Sequence, residues 1–256
     1  MHLETSSALP RVGVLGGLSL TCDGRRLPVP PGGRKLLAYL ALHPAGADRR
    51  VVAGVLWPDV EDGRAAGNLR SALWRLQQVG CPLVTAEQSW LGLADDVEVD
   101  LTRLEAWATR VLAHSPTPED LGVDPRPIAE LELLPGWYDD WVLAVRGRLQ
   151  LRLLHALEAL SRLLRRAGRP AAAVEAMTVA VLAEPLRESG QLALIEAHQA
   201  AGDWISAQRQ YDAFRSILRR EIGVEPSAEL TAAARGGPRP GSRAELARAS
   251  LRGSFD

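Results

Sequence analysis

Between Gly63 and Gly80 the segment GRAAGNLRSALWRLQQVG carries three arginines and no acid, in a chain whose formal net charge is −1. Wound as a helix, it gathers Ala65, Leu69, Ala72, Leu73, Leu76 and Val79 on one side. Arg64, Gly67, Asn68, Arg70, Ser71, Trp74, Arg75 and Gln78 fall on the other. Guanidinium, amide and hydroxyl groups on one face are the donors and acceptors that a DNA major groove can pair with. Arginine suits guanine edges or phosphates, and asparagine suits adenine. A solvated amphipathic helix would also show polar groups. Trp74 argues against that bland reading, since water-facing surfaces rarely carry a large aromatic, although it could also pack on a following hairpin. Arg34 with Lys35, and Arg49 with Arg50, stand at predicted helix starts, where backbone N–H groups and basic side chains together favour phosphate oxygens. Basic residues there oppose the helix dipole, so their placement points weakly to an anionic partner. Residues 11–50 hold seven basic and two acidic side chains.

Other chemistries fail on spacing. Gly32-Gly33-Arg34-Lys35 lacks the spacing and the hydroxyl residue of a phosphate-binding P-loop, and reads as a turn before a helix. Gly13-Val14-Leu15-Gly16-Gly17 lies between predicted strands and opens no helix, so it is no dinucleotide fingerprint. The five histidines are scattered, and Asp95-Asp96 and Asp139-Asp140 lie in predicted loops without an accompanying nucleophile or metal set. No catalytic residue, metal or cofactor is expected. The two cysteines, Cys22 and Cys81, cannot build a disulfide scaffold, and a reduced compartment is the simpler reading. The opening MHLETSSALPRV has no secretory pattern, and no apolar run reaches the roughly 18 residues of a membrane span. A cytoplasmic location is expected, with no membrane partner.

The elements that must position these residues follow from the pattern. From Arg11 to Val29 short β-like pieces alternate with turns at Gly16-Gly17 and Asp23-Gly24, the latter a hairpin signal. Helices are predicted over 34–43, from a cap at Asp48 through Leu56, and over 63–79, with Trp57-Pro58-Asp59 as a loop. PLVTA and WLGLA, separated by Glu87-Gln88-Ser89, read as a hairpin. Strands, three helices and a closing hairpin make a winged helix-turn-helix. From Asp100 onward the chain is almost all helix, with a long helix over 141–167 and further ones near 171–184, 187–201 and 204–221. Gly168 and Gly202 are spaced at the roughly 34-residue period of tetratricopeptide helix pairs. Reading on from them, Ala173 matches Ala207 and Met177 matches Tyr211, while Ala180 and Pro185 fall at positions for a small residue and a helix-ending proline. Such repeats usually hold a peptide or another domain and do no chemistry.

A winged helix followed at once by tetratricopeptide-like helices resembles the Streptomyces antibiotic regulatory proteins. The most specific residues are VDLTRLEAW at 99–107, LLPGWYDDWV at 133–142 and QYDAFRSILRREIGVEPSAEL at 210–230. RKLLAYLAL, Leu56-Trp57-Pro58-Asp59 and NLRSALWRL match more loosely, and the likeness spans roughly 11–235. The resemblance implies a transcriptional activator that binds promoter repeats, as a homodimer on DNA, and recruits RNA polymerase with its sigma factor. It places the helix bearing Arg75 in the major groove. It also turns the loop with Trp57, Pro58, Asp59, Glu61 and Asp62 toward polymerase. The wing departs from the usual Gly-Tyr-x-Leu pattern, reading Ser89-Trp90-Leu91-Gly92-Leu93, with Trp90 as its candidate DNA contact. Without the ATPase module of longer relatives, the chain is expected neither to bind nor to hydrolyse ATP.

The resulting expectation is a mainly α protein with a small β part. It comprises a winged-helix DNA-binding domain over 10–99, a tetratricopeptide-like bacterial transcriptional activation domain over 100–235 and a flexible tail over 236–256. The function expected is sequence-specific activation of a secondary-metabolite gene cluster from promoter DNA, with nucleoid association when bound. The alternative is a scaffold whose winged helix contacts protein. The acids Asp59, Glu61 and Asp62 and the near balance of charge over residues 1–100 support it. No retardation of upstream DNA at low salt would favour it.

Overall fold

A computed structural model describes residues 9–130 and 132–236. Its order is β1 (Arg11–Gly13), β2 (Ser19–Cys22), β3 (Arg25–Leu27), α1 (Arg34–Leu42), β4 (Ala47–Asp48), α2 (Arg49–Leu56), α3 (Asp62–Gln77), β5 (Val84–Glu87), β6 (Trp90–Leu93) and β7 (Glu98–Val99). Helices follow as α4 (Asp100–Leu112), α5 (Pro125–Glu130), α6 (Asp140–Arg166), α7 (Pro170–Ala183), α8 (Glu188–Ala200), α9 (Trp204–Glu221) and α10 (Ala228–Arg235). The protein is therefore mainly α with a small N-terminal β part. The chain forms two compact units, one within Met1–Thr109 and Glu130–Arg152, the other within Arg110–Ala129 and Leu153–Asp256. The expected tail lies outside the described residues from 237 onward. Among the described residues no helix is long and apolar enough to cross a membrane.

In the first unit a sheet runs β3-β2-β1-β7, with β7 parallel to β1 and the other neighbours antiparallel. Asp23 and Gly24, at φ of 50° and 73°, form the two-residue turn between β2 and β3. This is the left-handed pair that matches strand twist. The wing is a three-stranded sheet, β4-β6-β5, in which Gln88 and Ser89 close the hairpin between the paired Glu87 and Trp90. The two-residue β4 had no sequence signal. Leu20, Leu36, Leu37, Leu40, Leu76 and Leu91, all at 1% exposure or less, form the centre of the core. Asp100 opens α4 and ties it to β1: its carboxylate accepts the amides of Val14 at 3.0 Å and Leu15 at 3.1 Å. Residues 132–134 run alongside 14–16, through Gly16 N–H to Glu132 O and Leu134 N–H to Val14 O. Arg146 then donates to the carbonyls of Leu133, Leu134 and Trp137, which holds the Leu-Pro-Gly-Trp turn closed.

Cys22 and Cys81 are joined by a disulfide, with Cα atoms 6.6 Å apart. That corrects the expectation of free, reduced cysteines. The pairing depends on β2 meeting the α3–β5 connection, and their sequence separation of 59 gives no local cue.

In the second unit α7 packs on α8, α8 on α9, and α10 against both α8 and α9. Ile195, Phe214, Leu218 and Leu230 make its distal core, with Tyr211 packed on them. The repeat register is physical. Gly168 and Gly202 adopt φ of 71° and 76°. Each closes its helix with the same pair of bonds: Gly168 N–H to Arg165 O with Arg169 N–H to Leu164 O, and Gly202 N–H to Gln199 O with Asp203 N–H to His198 O. Ala173 and Ala207 are fully buried, at 0% and 1%. Near the start of the unit, Arg110 grips Asp120 through two hydrogen bonds of 2.8 and 2.7 Å. Asp120 is 4% exposed. The Arg110 bond holds its carboxyl down at about 2, against the desolvation that would raise it.

Candidate nucleic-acid interface

Helix α3 is fixed by its apolar side. Ala65, Leu69, Ala72 and Leu76 are buried at the i, i+4, i+7, i+11 spacing of one helical stripe. The opposite side is bare: Arg64, Arg70, Ser71, Arg75 and Gln78 are exposed, Asn68 is half-buried, and Trp74 shows 60% of its surface. Ser71 donates its hydroxyl to Gly67 O at 3.1 Å and keeps only acceptor capacity for a partner. Leu73 and Val79, expected in the stripe, lie half-buried at its fringe.

Gly32 and Gly33 seat this helix. They sit in a 3₁₀ turn, Pro31–Gly33, that leads directly into α1. A Cβ on Gly32 would run into the Arg75 guanidinium, and one on Gly33 would lie 2.7 Å from Leu76 Cδ2. The glycine pair expected to be only a turn therefore lets α3 approach and sets where Arg75 lies. That is a close-packing role with no sequence signature beyond the glycines themselves.

The helix starts differ from expectation. Gly33 N–H donates to Pro30 O and Arg34 N–H to Pro31 O. Arg49 N–H donates to Ser89 O at 2.7 Å, and Arg50 N–H to the capping carboxylate of Asp48 at 2.8 Å. These amides are engaged within the protein, so an anion at either site would be held by side chains. Arg34 and Arg50 are exposed. Lys35 is ion-paired with Asp139, and this far-separated partner lies in the LLPGWYDDW segment. Arg49 is half-buried, and its Nε has no hydrogen-bond partner among the described residues. With Arg50 and Arg70 it lines a cleft of about 540 Å³ between α2 and α3, whose lining also includes Asp62.

On the wing, Trp90 is 50% exposed, but its indole N–H donates to Ala45 O at 3.1 Å, across Gly46. Trp90 therefore pins the wing to the α1–α2 turn. The α2–α3 connection presents Pro58, Asp59 and Glu61 to solvent, with Trp57 half-buried and Asp62 placed as the first residue of α3.

The structure thus brings Arg49, Arg50, Arg64, Asn68, Arg70, Ser71, Trp74, Arg75 and Gln78 onto α3 and the adjoining start of α2. Sequence reasoning missed Gly32, Asp139 and the disulfide that ends beside α3.

No curated protein matches the chain. The fold is similar to that of Mycobacterium tuberculosis EmbR, solved in complex with a low-affinity phosphopeptide: TM-score 0.69 at 20% identity, over 96% of this chain and 70% of that one. Residues 118–236 match the bacterial transcriptional activator domain.

Proposed function

We propose that this protein is a sequence-specific DNA-binding transcriptional activator that lays α3 in the major groove. The carrying observation is the uncovered face of α3, basic and without an acid from Gly63 to Gly80, set on a winged-helix scaffold. Arg75 reads a base or phosphate from its seat over Gly32; Arg64, Asn68, Arg70, Ser71, Trp74 and Gln78 complete the contact. Arg34, Arg49 and Arg50 take phosphates flanking the groove, and Lys35 joins them only where Asp139 releases it. Trp90 meets the backbone with its ring. The match of residues 118–236 to an activator domain supports the activating role. The exposed acids Asp59 and Glu61 suit a contact with RNA polymerase and its sigma factor. Action as a homodimer at promoter repeats of a secondary-metabolite cluster, in the bacterial cytoplasm, completes the reading.

Mapping bound DNA across the genome, then measuring affinity for the recovered fragments, tests it. Affinity should fall by about 0.9 log unit per log unit of salt for each phosphate neutralised. Recovery of no enriched sites would overturn the proposal.

A further inference from the structure

Cys22 and Cys81 play no part in DNA recognition as described, yet they are the chain's two cysteines and they are bonded to each other. Cys22 ends β2 beside the Asp23–Gly24 turn. Cys81 follows Gly80, which at φ +79° turns the chain out of α3 toward β5. The bond therefore ties the N-terminal sheet to the joint between the groove-facing helix and the wing. Cys81 is 4% exposed but lines a cleft of about 350 Å³ with Arg49, Leu73, Gln77 and Pro82. Cys22 is half-buried and stands directly opposite Arg25 in the β2–β3 register, so the two side chains share a face.

We propose that Cys22 and Cys81 are a reversible thiol–disulfide switch that stiffens or frees the α3–wing joint. The proposal rests on the DNA-binding reading in one respect. A protein that meets its operator inside the cell works where thiols are kept reduced, and a disulfide there is transient and redox-sensing. The oxidant class is a low-molecular-weight disulfide. The Cys22 thiolate attacks one of its sulfurs, its S–S bond breaks and one small thiolate leaves. The Cys81 thiolate then attacks the Cys22 sulfur and the second small thiolate leaves. The chain loses two electrons and two thiol protons, and the small disulfide becomes two thiols. Excess small thiol reverses the sequence by attacking Cys22, the more exposed of the two residues.

The test uses the full chain equilibrated in graded reduced and oxidised glutathione, trapped with N-ethylmaleimide and weighed intact. Two adducts in the reducing buffers and none in the oxidising ones are expected, with a melting temperature that falls on reduction by on the order of 10 °C. Cys22→Ser should melt at one temperature across the series. On a retarded DNA fragment the reduced chain should bind roughly tenfold more weakly, because the freed joint must be ordered on binding. Two adducts in every buffer, a bond that opens only after unfolding, or equal retardation by both forms would each overturn the proposal. Absence of retardation by either form would count against the DNA-binding reading instead, while adduct number and melting still decide the switch.

Discussion

Arg75 leans over Gly32, and the room it occupies exists because that residue has no side chain. Substitutions at the two adjacent glycines separate stability from the proposed DNA recognition. Gly32→Ala displaces only the far end of a flexible side chain, so it should leave the melting temperature nearly unchanged while weakening DNA binding. Gly33→Ala presses on the buried Leu76 and should cost about 1–3 kcal/mol in a denaturation experiment. Arg75→Ala should lose about 1–3 kcal/mol of affinity if it reads a base, with unchanged stability. The arginine face was legible in the sequence because helical spacing alone separates it from the leucines. The partner of Lys35 was not, because Asp139 reaches it only through the tertiary fold. Asp120 gives a prediction in the second unit. Its carboxyl is lowered to about 2 by Arg110, so the stability it contributes is full above the ordinary carboxylate range and is lost as pH falls from about 4 to about 2. Asp120→Asn should therefore destabilise by about 2 kcal/mol at pH 7, and the difference from wild type should vanish in acid.

Among the elements, the long periodic ones could be read from sequence and the short or long-range ones could not. α1, α2 and α3 fall within a residue or two of their expected bounds, and Asp48 caps α2 through the Arg50 amide as its type predicted. β4 has two residues and no periodicity, and it exists because Ala47 and Asp48 pair with β6. α10 lies beyond the last predicted helix, although Ser227, which accepts from Leu230 N–H at 3.2 Å, is a legible cap. The 34-residue spacing of Gly168 and Gly202 proved to mark two equivalent helix ends with equivalent hydrogen bonds. Their left-handed φ makes a side chain costly there. Gly202→Ala should destabilise by about 1–2 kcal/mol by denaturant titration, with the slope unchanged.

For the molecule as a whole, a net charge of −1 means that attraction to a polyanion must come from the arrangement of charge and not from its total. Arg34, Arg49, Arg50, Arg64, Arg70 and Arg75 lie on α1, α2 and α3, while the acids Asp59 and Glu61 occupy the connection between α2 and α3. The most direct test of that arrangement is the salt dependence of binding to DNA from upstream of neighbouring genes, measured by gel retardation from low to physiological salt. Retardation should appear at low salt, with a log–log slope of roughly −4 or steeper for wild type, shallower by about one for Arg64→Ala if that residue holds a phosphate. A chain that retards no DNA at the lowest salt, or one whose affinity ignores salt, would mean that the uncovered face of α3 does not meet a duplex.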